Sequence, residues 1–207
     1  MYAVIERGYD LILKTITQDD VKNYDWLIEN RDQCGGPKYQ RRYRSFWGMN
    51  AARLGSAFYS EYFAALQPSL ENPMSLEDLC QRLYNVSARQ DGRHTLQFSF
   101  ATKLMHTLSP KLPIYDSRVA RFFLYREPSS DLMIEERIIK MSEYYGFLAR
   151  EYERIVEEHR LDGAIAAFRK QFAPRHHTDE KIIDWLIWAF IGVAADGALM
   201  RGDFVFE

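Results

Sequence analysis

Residues 182–195, IIDWLIWAFIGVAA, are apolar on nearly every side when wound as a helix. A helix with no face to give to water must be surrounded by other elements. The chain offers helices to do this. Apolar residues recur at spacings of three and four along its length, and no segment alternates convincingly with a period of two. The expected class is therefore all-α, with about ten helices. Trp185, Leu186, Trp188, Phe190 and Ile191 are expected in the central core. Asp184, inside the same run, is either a partnered buried carboxylate or the one exposed position.

The helix boundaries are written in capping residues and breakers. Val4, Ile5, Tyr9, Ile12, Leu13 and Ile16 predict an amphipathic helix over 2–16. Thr17 with Asp20 reads as a capping box opening the next helix. Gly35-Gly36-Pro37 breaks the chain, and Pro37 suits a first helical turn. Residues 38–66 read as one aromatic helix, bent near Gly48 and Gly55. Ser75 with Asp78 caps a helix running to about Ser87. Thr95–Leu108, 131–159 (with a break at Gly146), 161–172 and a helix capped by Thr178 complete the set, and 197–207 reads as an irregular tail. The arrangement expected is a single all-α domain over 1–207, or two lobes of about 1–94 and 95–207 with the N-terminal helices returning to the second.

Charge is distributed unevenly. The net charge is −2. No acid occurs between Asp32 and Glu61, where Lys38, Arg41, Arg42, Arg44 and Arg53 stand. From Leu79 to Tyr115 the only acid is Asp91, against Arg82, Arg89, Arg93, Lys103 and Lys111. From Glu127 to Asp162 there are ten acids and five bases. Such an asymmetry gives either a positive face for a polyanion or two solvated surfaces that balance each other. Arg41, Arg42 and Arg44 interleave with Tyr39, Tyr43, Phe46 and Trp47. That mixture either holds phosphates and stacks bases, or is a core edge covered by arginine stems.

Several classes are unsupported. Two cysteines, Cys34 and Cys80, make neither a disulfide framework nor an unaided cluster site. No apolar run reaches the length of a membrane span. The opening MYAVIERGYD has no apolar core of a secretory signal. The expectation is a cytoplasmic chain with no membrane partner. His176 and His177 are adjacent, so their side chains diverge, and no metal or other cofactor is expected.

The segment that hints at chemistry is Leu96–Phe123, LQFSFATKLMHTLSPKLPIYDSRVARFF. Leu96, Phe100, Ala101, Leu104, Met105 and Leu108 make one apolar face. Ser99, Lys103 and His106 are expected together on the polar face. Pro110 and Pro113 end this helix, and Asp116 opens the next as an N-cap. A helix, a Pro-bounded turn and then Pro113-Ile114-Tyr115-Asp116-Ser117-Arg118-Val119 resembles the helix-hairpin-helix DNA glycosylase superfamily. The likeness covers about 25 of 207 residues. It implies an all-α, two-lobed DNA-binding fold in which Asp116 is the catalytic carboxylate. Two features depart from that family. LQFS stands where its Gly-x-Gly hairpin would be. Lys103 lies 13 residues before Asp116, not at the family's position for a nucleophilic lysine, which here is near Gln97.

Two functions follow as expectations. One is a base-excision glycosylase-like hydrolase. In it Asp116 activates water, Lys103 or His106 lines the pocket, and Arg41, Arg42, Arg44, Arg118 and Arg121 contact phosphates. The other is a non-catalytic helical module that binds nucleic acid or protein, with Asp116 only a cap.

Overall fold

Every regular element found is helical, and the reasons are local at most boundaries. The structure, a computed structural model, describes residues 1–88 and 92–195; Arg89, Asp91 and the 197–207 tail lie outside the described residues. Among the described residues there are ten α-helices, one 3-10 turn at Arg31–Gln33 and no strand. The chain is all-α.

By its contacts the chain divides into two units. Unit 1 comprises 1–25, 110–126 and 147–207, and unit 2 comprises 26–109 and 127–146. The segment 95–109 therefore falls with the residues before it, and the N-terminal 25 residues fall with the C-terminal ones.

Unit 1 is built on α10 (Asp179–Ala195), the apolar run. α1 (Tyr2–Leu13), α7 (Ser117–Phe122) and α9 (Asp162–Phe172) pack against it. Ile182, Ile183, Leu186, Ile187 and Ala189 are essentially sealed from solvent, and Phe190 meets Phe122 edge-on at 5.9 Å. Each of these isoleucine, leucine and phenylalanine side chains contributes about 1.5–3 kcal/mol on leaving water. Trp188 corrects the expectation of a helix covered all round: it is 37% exposed, because the packed helices leave one side of α10 open. Asp184 is the partnered carboxylate of the two alternatives. Its Oδ2 accepts from Lys181 Nζ at 2.7 Å, with both residues buried.

Capping residues tie this unit together. Thr17 and Asp20 form the expected capping box before α2 (Gln18–Glu29). Thr178 accepts from the Lys181 amide and donates to the Pro110 carbonyl, 68 residues away, so one hydroxyl both caps α10 and anchors the proline turn. Glu6 reaches from α1 to accept from the Gly163 and Ala164 amides, a carboxylate serving as a remote cap at the positive end of α9.

In unit 2, Pro37 opens α3 (Pro37–Phe46) at its first position. The expectation of one bent helix over 38–66 is corrected. α3 stops, Gly48 takes φ +69° and Arg53 φ +53°, and α4 (Ser56–Ser69) begins anew after an extended Gly55. A left-handed residue cannot continue a right-handed helix, so two such residues convert the bend into a loop. Ser75 and Asp78 cap α5 (Leu76–Tyr84), which packs on α4 and on α6 (Phe98–Leu108).

The break expected at Gly146 does not occur. α8 (Ile134–Glu157) runs through it unbroken. One internal glycine costs about 1 kcal/mol, and the neighbouring Tyr145 and Leu148, both buried, outweigh that cost.

Candidate functional site

Asp116 is placed by three local devices. Ile114 and Tyr115, just before it, are 2% and 3% exposed and fix the approach of the chain. Asp116 itself has extended backbone, φ −147° and ψ 176°, and its Oδ1 accepts from the amides of Arg118 at 2.9 Å and Val119 at 2.8 Å. The far end of α7 is closed as firmly. Leu124 takes φ +56°, its amide reaches the Arg121 carbonyl, and the Tyr125 amide reaches the Ala120 carbonyl. That pair of bonds is a Schellman motif. A six-residue helix, far too short to stand alone, is thus held by a cap at each end and by Val119, Ala120 and Phe122 buried beneath.

Both amide bonds to Asp116 fall on a single oxygen. Oδ2 accepts no hydrogen bond among the described residues, and the side chain is only half-buried. A carboxylate held this way has one oxygen fixed by backbone and one left to act on a ligand or a water.

Arg118, two residues on, sends its guanidinium to α10. Its Cζ lies over the Trp188 indole, 3.8 Å from the ring centre, and Nη1 donates to the Trp188 carbonyl at 3.3 Å. Arg121 is exposed and makes no side-chain hydrogen bond or ion pair among the described residues. Asp116, Arg118 and Arg121 all belong to unit 1.

The remaining expected residues belong to unit 2. Arg42 lies 4.4 Å from the centre of the Trp26 ring, with Lys38 at 5.7 Å from the same ring. Arg44 lies 4.6 Å from the Tyr59 ring. Arg41 is exposed, with no ion pair among the described residues. Lys38, Arg42 and Arg44 of α3 thus lean on aromatic rings, as the interleaved sequence allows, while Tyr39 and Tyr43 of the same helix are buried.

Lys103 is half-buried. Its Nζ sits 4.8 Å from the Phe100 ring centre and 3.4 Å from the Trp47 carbonyl. His106 corrects the sequence expectation: it is 1% exposed and faces the Trp47 ring edge-on, not the polar face of α6. The polar stripe drawn from spacings of three and four is therefore shorter than expected, because Trp47, the C-cap of α3, packs against its far end. The start of α6 has no glycine turn. Gln97 caps it without a side-chain bond and Phe98 is buried.

A second set of polar groups had no sequence signal beyond adjacent histidines. Asp25 is 4% exposed and accepts from the amides of Arg175 and His176 and from His177 Nδ1 at 3.1 Å. Because a carboxylate only accepts, Nδ1 carries the imidazole proton. Burial pushes the Asp25 carboxyl up, yet the bonds from His177, His176 and Arg175 outweigh it and hold it below the usual carboxylate range. Burial likewise pushes His177 below the usual imidazole range, against the pull of Asp25. Lys181 stands beside it, over the Tyr24 and Trp185 rings. The His177 side chain is fully enclosed, and the cluster fastens the loop before α10. Among the described residues no group of three or more His, Cys, Asp or Glu could hold a metal ion, and no helix is long and apolar enough to cross a membrane.

Compared with protein families, curated proteins and solved structures, the chain finds no match, so the reading of its function rests on its own residues.

Proposed function

We propose that the chain is a DNA-binding hydrolase that cleaves an N-glycosidic bond, with Asp116 as its working carboxylate. The observation that carries this reading is the asymmetry of that carboxylate. Oδ1 is locked by two amides at a helix start, and Oδ2 has no partner among the described residues.

The chemistry needs little more. As the sugar C1′–N bond breaks, its electron pair leaves with the base, which takes up a proton. Positive charge develops on the sugar ring. A fixed carboxylate stabilises that charge and accepts a proton from the water whose oxygen bonds to C1′. The reading assigns the attack to water. Lys103 is not at the position of a lysine nucleophile, and its ammonium is held against Phe100 and the Trp47 carbonyl. The reaction would require a base turned out of the stack. Arg41, Arg42, Arg44 and Arg121 are the phosphate contacts of this reading, and Trp26 and Tyr59 hold two of them in place.

The test is release of free base from a panel of duplexes carrying deaminated, alkylated, oxidised and mismatched bases. At least one substrate should lose its base to the wild-type protein. A complete panel without release would sink the reading.

A second reading has its own support. The two bonds to Oδ1 make Asp116 a complete N-cap, and α6 opens without a Gly-x-Gly turn. On that reading the protein binds nucleic acid without cutting it. Replacing Arg41 and Arg42 together should then flatten the slope of log affinity against log salt by about 0.9 per lost phosphate contact, with no base released by the wild type. An unchanged slope would remove α3 from both readings.

A further inference from the structure

Arg118 is restrained in a way that its neighbour Arg121 is not. Three features of α10 act on one guanidinium. The Trp188 indole lies beneath it, 3.8 Å from Cζ to the ring centre. The Trp188 carbonyl takes one Nη1 proton at 3.3 Å. Gly192 supplies the space, since a Cβ there would stand 3.0 Å from Nη1. The last two are linked by helix geometry. A residue four positions on lies over the carbonyl that begins its turn. A side chain at 192 would cover the carbonyl that Arg118 uses.

What is left of Arg118 is oriented and unspent. It has no ion pair among the described residues, and Nε and Nη2 make no hydrogen bond there. A planar fork of donors matches a phosphate or a carboxylate. Stacking on an aromatic face has already removed the rotamer freedom that binding would otherwise cost. The open side of the stack is also where α10 departs from full burial, at Trp188, 37% exposed.

We propose that Arg118, positioned by Trp188 and Gly192, is a preset site for one phosphate of a DNA strand, two residues along the chain from Asp116. This rests on the DNA-binding reading above and adds to it the element that aims the contact. Trp188 and Gly192 are positioning residues: they touch the arginine and act through it.

The experiment is a salt series of binding to a labelled duplex by the full chain. Arg118→Gln should lower the magnitude of the log affinity against log salt slope by about 0.9, the value for one phosphate. Trp188→Ala and Gly192→Ala should lose part or all of the same increment, while Trp188→Tyr, which keeps an aromatic face, should restore it. A merely structural role for Trp188 would weaken binding without changing the slope. An unchanged slope in Arg118→Gln, a substitution at a half-exposed side chain that leaves the Asp116 cap bonds to the backbone intact, overturns the proposal while leaving DNA binding standing. Absence of duplex binding by the wild type overturns both this proposal and the DNA-binding reading.

Discussion

In unit 1 the buried hydrogen-bonding groups include ionised ones: the Asp25 carboxylate, which accepts from a neutral His177, and the Lys181–Asp184 ion pair. In unit 2 the buried core is threaded by neutral hydroxyls. Tyr62 donates to the Phe100 carbonyl at 2.9 Å and Thr107 to the Lys103 carbonyl at 2.8 Å, and the Tyr43 hydroxyl stands between Tyr62 at 2.7 Å and Thr107 at 3.1 Å. Three protons serve four contacts, so Tyr43 shares its single proton between its two neighbours. Burial pushes the Tyr43 and Tyr62 phenols up, which keeps them neutral. The comparison shows two ways to satisfy polar atoms inside a helical core. An ionised group holds strongly but must be fully partnered, since a lone buried charge is costly. A hydroxyl network is weaker per bond and indifferent to pH.

The sharpest break of this contrast is Asp25→Ala. It strips the Arg175 and His176 amides and His177 Nδ1–H of their common acceptor and, at about 1–3 kcal/mol for each buried donor left unsatisfied, should cost at least about 3 kcal/mol, read as a lowered urea midpoint at pH 7. A loss below about 1 kcal/mol would place the Asp25–His177 pair among the weak surface contacts.

The pH dependence separates the units next. His177 is held below the ordinary imidazole value of 6.5. An unfolded chain therefore takes up its proton first as pH falls. The stability this group contributes is complete above about 6.5 and is lost as pH drops towards the folded value. The slope for one proton cannot exceed about 1.4 kcal/mol per pH unit. Asp25, also lowered, adds a second loss only in the range below about 3.9. Urea titrations between pH 8 and 5 should show the first decline, and His177→Gln should flatten it. An unaltered decline in the variant would assign it elsewhere.

Tyr62→Phe, the matching cut in unit 2, should cost about 1 kcal/mol. The Phe100 carbonyl is in the interior of α6 and keeps its helical partner, and Tyr43 keeps Thr107. The loss should be the same at pH 5 and pH 8. The smallest effect belongs to the half-exposed Arg82–Glu61 pair between α5 and α4. Arg82→Met should change stability by less than about 1 kcal/mol and weaken no further in high salt.

Local chemistry was legible in the sequence, and distant chemistry was not. Thr17 with Asp20, Ser75 with Asp78, Thr178, Pro37 and Asp116 all do what their positions suggest, because a cap is decided within three or four residues. Asp25 and His177 are 152 residues apart, and nothing periodic links them. Spacing could show that Asp184 sat in an apolar run but not that Lys181 would meet it. Trp188 and His106 went to the sides opposite those expected, for one reason. A helical stripe defines which residues share a face, but the neighbouring elements decide whether that face is covered. Trp47 covers His106, while the Arg118 guanidinium lies over Trp188 and leaves it partly open.

The candidate site shares this division. Asp116 was visible as a helix start after Pro113. The state of its two oxygens was not, and neither was the Arg118–Trp188 stack, whose members are 70 residues apart. The cap alone accounts for an Asp at 116, so the decisive substitution must keep the cap and remove the charge. Asparagine does both, since Asn and Asp are equivalent N-caps. Single-turnover base release by Asp116→Asn, on whichever modified duplex the wild type opens, is the direct test. The account predicts an unchanged melting temperature and a rate lower by at least about a hundredfold. Base release by the Asp116→Asn variant at the wild-type rate would contradict it.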